Sequence, residues 1–203
     1  TNITEAKAIY ADIAVDLGSG WGLTVGGRYT EDERKVTVEQ FLDLNGVPWE
    51  ARDKSNYMDR SGWLSTAAIG QPFDNATLEA LGIKTSIDTE EFTSRLVVDY
   101  QANDDLMFYA SLADSFKGGG WASRVTAAAD FKDLKPEFVD NFEMGMKSEW
   151  NDGAVRVNLT YFNANYTDLQ ITAIDQATGA FVYSNKADAE VDGIEGEFLY
   201  AVR

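Results

Sequence analysis

The sequence predicts an all-β protein, a segment of an antiparallel, up-and-down transmembrane β-barrel of about seven long strands. Three observations carry this prediction. Apolar and polar residues alternate with a period of two, the alternating runs reach about 11–16 residues, and tight and long connections alternate along the chain. Soluble strands usually have about 5–6 residues, whereas a tilted strand needs about 9–11 to cross a bilayer.

The first hairpin shows the alternation most clearly. Residues 7–17 place Ile9, Ile13 and Val15 on one face, and Gly18 to Gly20 then signal a tight turn. The following run, from residue 21 to 34, puts Trp21 on the apolar face. Two alternating runs joined by a glycine turn predict one β-hairpin.

Two further hairpins and a last strand repeat this pattern. Residues 91–100 and 106–116 flank a turn at 103–105, and residues 138–150 and 154–166 flank a turn at 151–153. The last strand is predicted at about 188–203. The long connections then cover about 39–90, 117–135 and 172–187. All tight turns fall on one side and all long loops on the other, as in outer-membrane barrels with short periplasmic turns and long extracellular loops.

The two faces of the predicted strands differ in chemistry. Trp21, Tyr100 and Trp150 lie near tight turns, where an aromatic girdle is expected. The polar face carries too many charges for a packed core, which suits a water-filled or plugged lumen. The residues predicted to face the lumen are Arg28, Arg95, Asp99, Glu143, Lys147, Arg156, Glu195 and Glu197.

Composition excludes several classes of function. The chain of 203 residues has 17 Lys and Arg against 34 Asp and Glu, a net charge of −17 that disfavours a nucleic-acid partner. The sequence contains no cysteine and no histidine, which removes thiolate chemistry and the commonest general base and zinc ligand. We therefore expect no catalytic residues, no metal and no cofactor.

Two alternatives are open at this stage. A soluble or secreted β-sandwich that binds carbohydrate would also have one wet sheet face, although the sorted loops favour a barrel. A hydrolase could use Glu195 and Glu197 as paired carboxylates, because residues i and i+2 of a strand share a face about 6.5–7 Å apart. Nothing else in the sequence supports catalysis, so we expect no enzyme.

The stretch SFKGGGW, residues 115–121, is not a phosphate-binding loop. Such a loop needs its lysine after the glycines and a helix to follow, whereas Lys117 precedes them. We expect the glycines to permit positive φ and close backbone approach where the strand bends and becomes a loop. Lys117, Trp121 and Arg124 are candidate ligand contacts, because cations and a ring suit an anionic aromatic chelate.

The long loop at about 39–90 contains two further patterns. Residues 53–63 have the spacing of a calcium loop, but Met58 stands where that loop requires glycine. Residues 74–82 predict one or two helical turns with an Asx N-cap, Leu78 and Leu81 on one face, and Gly82 as the stop.

Five segments in order resemble the barrel of TonB-dependent outer-membrane receptors. LTVGGRYTEDER (23–34) resembles the family's T-x-G-x-R-Y strand, and MFYASLADSFKGGGW (107–121) resembles its YASYSRGFKGGGF strand. LKPEFVDNFEMGMKSEW (134–150) resembles L-x-P-E…N-x-E-x-G-x-K. VNLTYFNANYTDLQI (157–171) and NKADAEVDGIEGEF (185–198) resemble the family's later strands. Each match is weak alone, but together they cover most of the chain.

This resemblance implies a plugged barrel of about 22 strands in the outer membrane of a Gram-negative bacterium. The receptor would take up a scarce, large nutrient, first of all a ferric siderophore, with cobalamin and glycans as further cargoes. Its partners would be outer-membrane lipid, that ligand and the TonB–ExbB–ExbD complex. We expect residues 1–203 to be a partial barrel from a longer protein, without the plug, the TonB box or the C-terminal strand.

Overall fold

A computed structural model describes residues 2–40, 73–121, 128, 131–174, 176 and 181–201. Its main element is a single antiparallel sheet of seven long strands. These strands are β1 (Asn2–Gly18), β2 (Trp21–Val36), β5 (Ser86–Asn103), β6 (Leu106–Lys117), β9 (Glu137–Trp150), β10 (Val155–Ile174) and β11 (Phe181–Tyr200). Two short ribbons pair β3 (Glu39–Gln40) with β4 (Phe73–Asp74) and β7 (Gly120–Trp121) with β8 (Asp133–Leu134), and one helix, α1, covers Asn75–Ala80.

The strand order of the sheet follows the order of the chain. It reads β1-β2-β5-β6-β9-β10-β11, so each long strand pairs with the long strands before and after it. This confirms the up-and-down arrangement. The β-sandwich alternative is wrong, because the long strands form one continuous sheet and not two packed sheets. Within the described ranges, no helix is both long and apolar enough to cross a membrane.

The first tight turn shows why the sequence needs glycine there. Gly18, Ser19 and Gly20 have φ of 81°, 55° and 84°, in the left-handed region that glycine adopts most readily. A Cβ atom on Gly20 would lie 2.4 Å from the carbonyl oxygen of Gln101. Gln101 also holds Gly20 in place, because its backbone N–H donates a hydrogen bond to the Gly20 carbonyl oxygen at 2.7 Å. Gly20 therefore satisfies both a backbone conformation and a close approach between neighbouring hairpins.

Two of the three long connections are shorter than the sequence predicts, because the strands beside them extend further. The connections run over 37–85, 118–136 and 175–180, where we expected about 39–90, 117–135 and 172–187. The largest error concerns β10 and β11, which pair until Ile174 meets Phe181. Beyond the bilayer both faces of a hairpin meet water, so the alternation that signals a strand is no longer required.

One face of the sheet is apolar over a limited height. On the side of the tight turns, which we call the lower side, this apolar region ends at Trp21 and Tyr100, whose ring centroids lie 4.6 Å apart. On the side of the long loops, the upper side, it ends at Tyr29, whose hydroxyl donates to Glu90 at 2.9 Å. The eight residue steps from Trp21 to Tyr29 span about 26 Å of strand, or about 20 Å of height at a tilt of about 40°. This is close to the apolar band of about 25 Å in outer-membrane barrels.

The apolar face is open rather than covered by protein among the described residues. Ile9 is 74% exposed and Ile194 is 79% exposed, far above what a soluble core allows. Above Tyr29 the same face becomes charged, with Glu31 and Glu33 on β2. A sharp change from apolar to charged residues along one face marks the edge of a bilayer.

Candidate functional site

The eight charged residues predicted to face the lumen share one face of the sheet. The register places Asp99 opposite Tyr109, Glu143 opposite Ser111, and Glu195 opposite Thr160, all on the side away from Trp21. The same registers assign the others to this side, which we call the polar face: Arg28, Arg95, Lys147, Arg156 and Glu197. That the polar face lines a lumen stays a prediction.

Tyr109 is the centre of a hydrogen-bonded group on the polar face. Its hydroxyl lies 2.5 Å from Glu143 Oε1 and 2.9 Å from Thr160 Oγ1, and Lys147 Nζ lies 5.5 Å from the centroid of its ring. The ring can lie across β9 because residue 145 is glycine, where a Cβ atom would approach the ring to 2.9 Å. Strands β6, β9 and β10 are thus linked through side chains as well as through their backbones.

Other charges on the polar face are also paired. Arg156 forms a bridge to Glu149 through Nε at 2.8 Å, and Arg95 Nη2 lies 3.2 Å from Asp12 Oδ1. Arg28 Nε donates to Thr30 Oγ1 at 3.0 Å. Such exposed pairs contribute little stability singly, so their main effect is to fix side-chain positions on the polar face.

The paired-carboxylate hypothesis gains no support from these contacts. Glu197 accepts a hydrogen bond from Asn158 Nδ2 at 2.7 Å, and Glu195 lies two residues away on the same face. In the part of the chain that the structure describes, no group of acidic side chains is arranged as a metal site. The calcium-like stretch at 53–63 lies outside the described residues.

The three glycines of SFKGGGW form a crossing point over the polar face. The Gly119 carbonyl accepts from Arg34 Nη1 at 2.8 Å, and the Gly118 carbonyl accepts from Gln170 Nε2 at 3.0 Å. Arg34 belongs to β2 and Gln170 to β10, so this segment ties together strands that are not neighbours in the sheet. We call Gly118–Gly120 with Arg34 and Gln170 the glycine crossing.

Close approach, not backbone conformation, explains Gly118 and Gly119. None of the three has positive φ, so that part of the expectation is wrong. A Cβ on Gly118 would lie 2.6 Å from Asp32 Oδ2, and one on Gly119 would lie 2.6 Å from the Leu134 carbonyl. The expected close backbone approach is therefore present.

Asp32 and Arg34 form the most buried ion pair of the described residues, beside the glycine crossing. Arg34 Nη2 lies 2.7 Å from Asp32 Oδ2, and Asp32 is only 8% exposed.

On the opposite face of β2, above the bilayer edge, a hydrogen bond to the Glu33 carboxylate raises the pKa of Lys35 above its ordinary value. That ammonium group therefore stays charged at neutral pH.

The candidate ligand contacts lie next to the glycine crossing, and two of them have protein partners. Lys117 Nζ lies 3.6 Å from Glu137 Oε2, and the Trp121 indole N–H donates to the Lys84 carbonyl at 2.7 Å. Arg124 lies outside the described residues. Lys117 keeps 59% of its side chain exposed, so an anionic group could still reach it. Ligand contact by these residues stays a hypothesis.

A small apolar cluster joins the two longest loops. Leu78 of α1 and Phe131 are 0% and 5% exposed. The residues packed against them are Val36, Val38, Ile83, Trp121 and Ala128. We call this group the loop cluster; it binds the 37–85 connection to the 118–136 connection above the sheet.

Helix α1 forms where the sequence predicts it. The Asp74 side chain accepts from the Thr77 amide at 2.9 Å as an N-cap, and Gly82 ends the segment with φ of 75°. The helix is six residues long, and Leu81 is 55% exposed while Leu78 is fully buried. The expectation that both leucines share a packed face is wrong, because Leu81 is the C-cap and lies beyond the last helical turn.

Sequence reasoning missed several residues of this region. Arg34 continues the polar alternation of β2, so its face was predictable, but its bond to Gly119 spans 85 residues and leaves no local signal. Gln170 and Glu137 also lie far apart in the sequence and meet only in the folded protein. There the Gln170 backbone N–H donates to Glu137 Oε2 at 2.9 Å.

Known proteins share this architecture. A family model described as TonB dependent receptor-like, beta-barrel matches residues 1–201. The ferric yersiniabactin uptake receptor FyuA from Yersinia pestis matches with a TM-score of 0.69 and 20% identity, over 97% of this chain and 24% of that one. The ferric-catecholate import receptor Fiu from E. coli K12 matches with a TM-score of 0.63 and 15% identity, over 100% of this chain and 26% of that one.

A third solved structure is named for a different cargo. The copper transporter OprC matches with a TM-score of 0.68 and 12% identity, over 100% of this chain and 27% of that one. At such identities the likeness concerns the fold alone. The chain spans about a quarter of the length of each of these three structures.

Proposed function

The chain belongs to the TonB-dependent receptor-like β-barrel family, and from that premise we propose that it forms part of the wall and loops of an outer-membrane transporter. Members of this family are receptors and transporters of the Gram-negative outer membrane rather than enzymes. The complete transporter takes up a scarce, large nutrient. The observation that carries this proposal is the two-faced sheet, with an open apolar band on one side and paired charges on the other.

The edges of the sheet support a role as one sector of a larger wall. Among the described residues, β1 and β11 each pair with a single neighbour, so one side of each strand offers free backbone donors and acceptors. Such groups cannot remain unpaired within a bilayer. We propose that further strands complete the barrel and that a plug inside it is moved by the TonB–ExbB–ExbD complex.

The loop side of the sheet is the proposed entry for cargo. The loop cluster fixes the described parts of the 37–85 and 118–136 connections to each other, so these parts offer a preformed surface. The glycine crossing brings Lys117 and Trp121 to this surface. In our proposal these two residues and Arg124 contact the ligand, and the polar face below provides the hydrated wall along which it passes.

We propose a ferric siderophore as the cargo. The names of FyuA and Fiu support this choice, since both concern ferric chelates, whereas the name of OprC concerns copper. A lysine with an exposed ammonium and a tryptophan ring suit an anionic aromatic chelate through charge and cation–π-type contacts. Cobalamin, a glycan and copper are the competing cargoes.

Growth of a deletion strain tests the proposed cargo. Under iron limitation, a strain without the gene is expected to lose growth on one ferric siderophore from a panel, and the intact gene is expected to restore it. Uptake of radioactive iron from that chelate should fall with growth. A strain that grows normally on every ferric chelate, but fails on cobalamin, a glycan or limiting copper, would contradict the siderophore assignment and leave the transporter assignment intact.

A further inference from the structure

Gln170 and Asn185 form a hydrogen-bonded clasp near the loop end of the β10–β11 hairpin. The two residues are direct partners in the register of this hairpin, and both are half-buried. Gln170 Nε2 donates to the Gly118 carbonyl at 3.0 Å and to the Lys135 carbonyl at 2.9 Å. One side-chain amide therefore holds both ends of a single connection. We call Gln170 and Asn185 the amide clasp.

Asn185 holds Lys135 in the way that a neighbouring strand would. Its Oδ1 accepts from the Lys135 backbone N–H at 2.9 Å, and its Nδ2 donates to the Lys135 carbonyl at 3.0 Å. The next residue, 136, is proline, which favours an extended backbone at Lys135. Because an extended residue directs its N–H and C=O to the same side, one carboxamide can bind both groups.

A bulge in the β10–β11 hairpin lies directly beside the amide clasp. The register shifts on both sides of Leu169, and Asp168 has a φ of 55°. The Asp168 carbonyl accepts from Asn185 Nδ2 at 2.7 Å, and its N–H donates to the Asp188 carboxylate at 3.2 Å. A bulge redirects nearby side chains, and a residue other than glycine keeps a positive φ only where its surroundings hold it. The hairpin thus holds an unfavourable backbone conformation at the point where Asn185 binds Lys135.

The amide clasp binds the two linkers of the β7–β8 ribbon. This ribbon, which carries Trp121, is separate from the seven-stranded sheet. Residues 118–119 join it to β6, and residues 135–136 join it to β9. Two glycines in so short a linker would allow the ribbon to swing. Arg34 of β2 donates to the Gly119 carbonyl at 2.8 Å, so side chains from β2, β10 and β11 together fix the direction of the ribbon.

All five segments that resemble the receptor family contribute to this attachment. The segments are residues 23–34, 107–121, 134–150, 157–171 and 185–198, and the residues that they supply are Arg34, Gly118, Gly119, Lys135, Gln170 and Asn185. A role in the function that the family shares fits this convergence better than a role limited to one cargo.

We propose that Gln170 and Asn185 are positioning residues for cargo capture. They hold both linkers of the ribbon, so that Trp121 and the neighbouring Lys117 meet incoming cargo in a fixed arrangement. Gln170 also reaches Lys117 through Glu137, whose Oε2 accepts from the Gln170 N–H at 2.9 Å and lies 3.6 Å from Lys117 Nζ. A preformed surface binds more tightly because less ordering is required on binding. The inference rests on the proposed transport function but not on the identity of the cargo.

Hydrogen exchange in the complete receptor, in lipid vesicles and without cargo, tests the structural half of this proposal. Gln170→Glu keeps the shape of the side chain but turns a carboxylate toward the two carbonyls, and Asn185→Leu removes both bonds to Lys135. In each variant, exchange in the 131–137 peptide should be about tenfold faster, which corresponds to about 1.4 kcal/mol. The transmembrane strands should exchange as before.

Gln101→Glu is the matched control. Gln101 Nε2 also donates to two main-chain carbonyls, those of Asn103 at 2.7 Å and Leu106 at 3.5 Å, but it does so at the tight-turn side of the sheet. This variant should leave exchange in the 131–137 peptide unchanged.

Uptake kinetics test the functional half. The probe is radioactive iron in the ferric siderophore that restores growth of the deletion strain, or a radioactive form of whichever other cargo the panel selects. Gln170→Glu and Asn185→Leu should each raise KM about tenfold and leave the maximal rate per receptor unchanged, whereas Gln101→Glu should change neither. The double variant should raise KM little beyond the larger single effect, because both residues act on the same ribbon.

Three results would overturn the proposal and leave the transporter assignment intact. They are unchanged exchange in both clasp variants, faster exchange with an unchanged KM, and a lower maximal rate per receptor with an unchanged KM. A receptor of unaltered sequence that restores growth on no cargo of the panel would instead overturn the proposed function itself.

Discussion

Replacing Leu96 by arginine is expected to destabilise the barrel by about 2–4 kcal/mol and to lower its amount in the outer membrane. Leu96 lies on the apolar face opposite Val25, midway between the levels of Trp21 and Tyr29. An arginine there would place a guanidinium group in hydrocarbon near the middle of the bilayer. Urea unfolding of the receptor refolded into lipid vesicles measures the change in free energy.

Val97→Arg is the matched control for this prediction. Val97 is the next residue of β5, and the register places it opposite Thr24 and Ser111 on the polar face. An arginine at this position meets water and paired charges, so we expect a cost of about 1 kcal/mol or less. If arginine lowers the free energy of unfolding equally at positions 96 and 97, or more at 97, the assignment of the two faces is wrong.

The second large effect is expected at the loop cluster. Leu78→Ala removes a fully buried side chain and should cost about 2–5 kcal/mol of local stability. The amides of Gly82 and Ile83, which donate to the carbonyls of Glu79 and Leu78, should then lose their protection. Hydrogen exchange measured by mass spectrometry on the α1 peptide reports this change.

Leu81→Ala provides the control within the same segment. Leu81 is 55% exposed, so its truncation should leave exchange in the α1 peptide almost unchanged. The transmembrane strands should exchange at the same rate in both variants, because the loop cluster lies above the sheet. Equal exchange in the two variants would mean that the loop cluster does not hold the loops together.

The membrane-spanning part of the fold could be predicted from the sequence because one face must be apolar and the other wet. Each residue of the Arg95–Leu96 pair therefore carries information about its side of the sheet. Above the bilayer this constraint ends, and the predicted loop at about 172–187 includes the ends of β10 and β11, which pair up to Ile174 and Phe181.

The side-chain contacts on the loop side could not be predicted from the sequence, for a different reason. Asp74 and Gly82 marked the ends of α1 through local chemistry, but the burial of Leu78 depends on Phe131, more than 50 residues away. The glycine crossing likewise joins residues from strands that are distant in sequence. A single sequence records the local preference of each residue but not which distant partner it meets.

The central claim is that one face of this sheet meets lipid and the other meets water. Spin labelling along β5 tests this claim most directly. The chain contains no cysteine, so single cysteines at Leu96, Val97, Val98 and Asp99 give unique labels. Oxygen concentrates in the bilayer and a polar nickel chelate in water. We predict that collisions with oxygen dominate at positions 96 and 98 and that collisions with nickel dominate at 97 and 99. Strong nickel collisions at all four positions would contradict the claim.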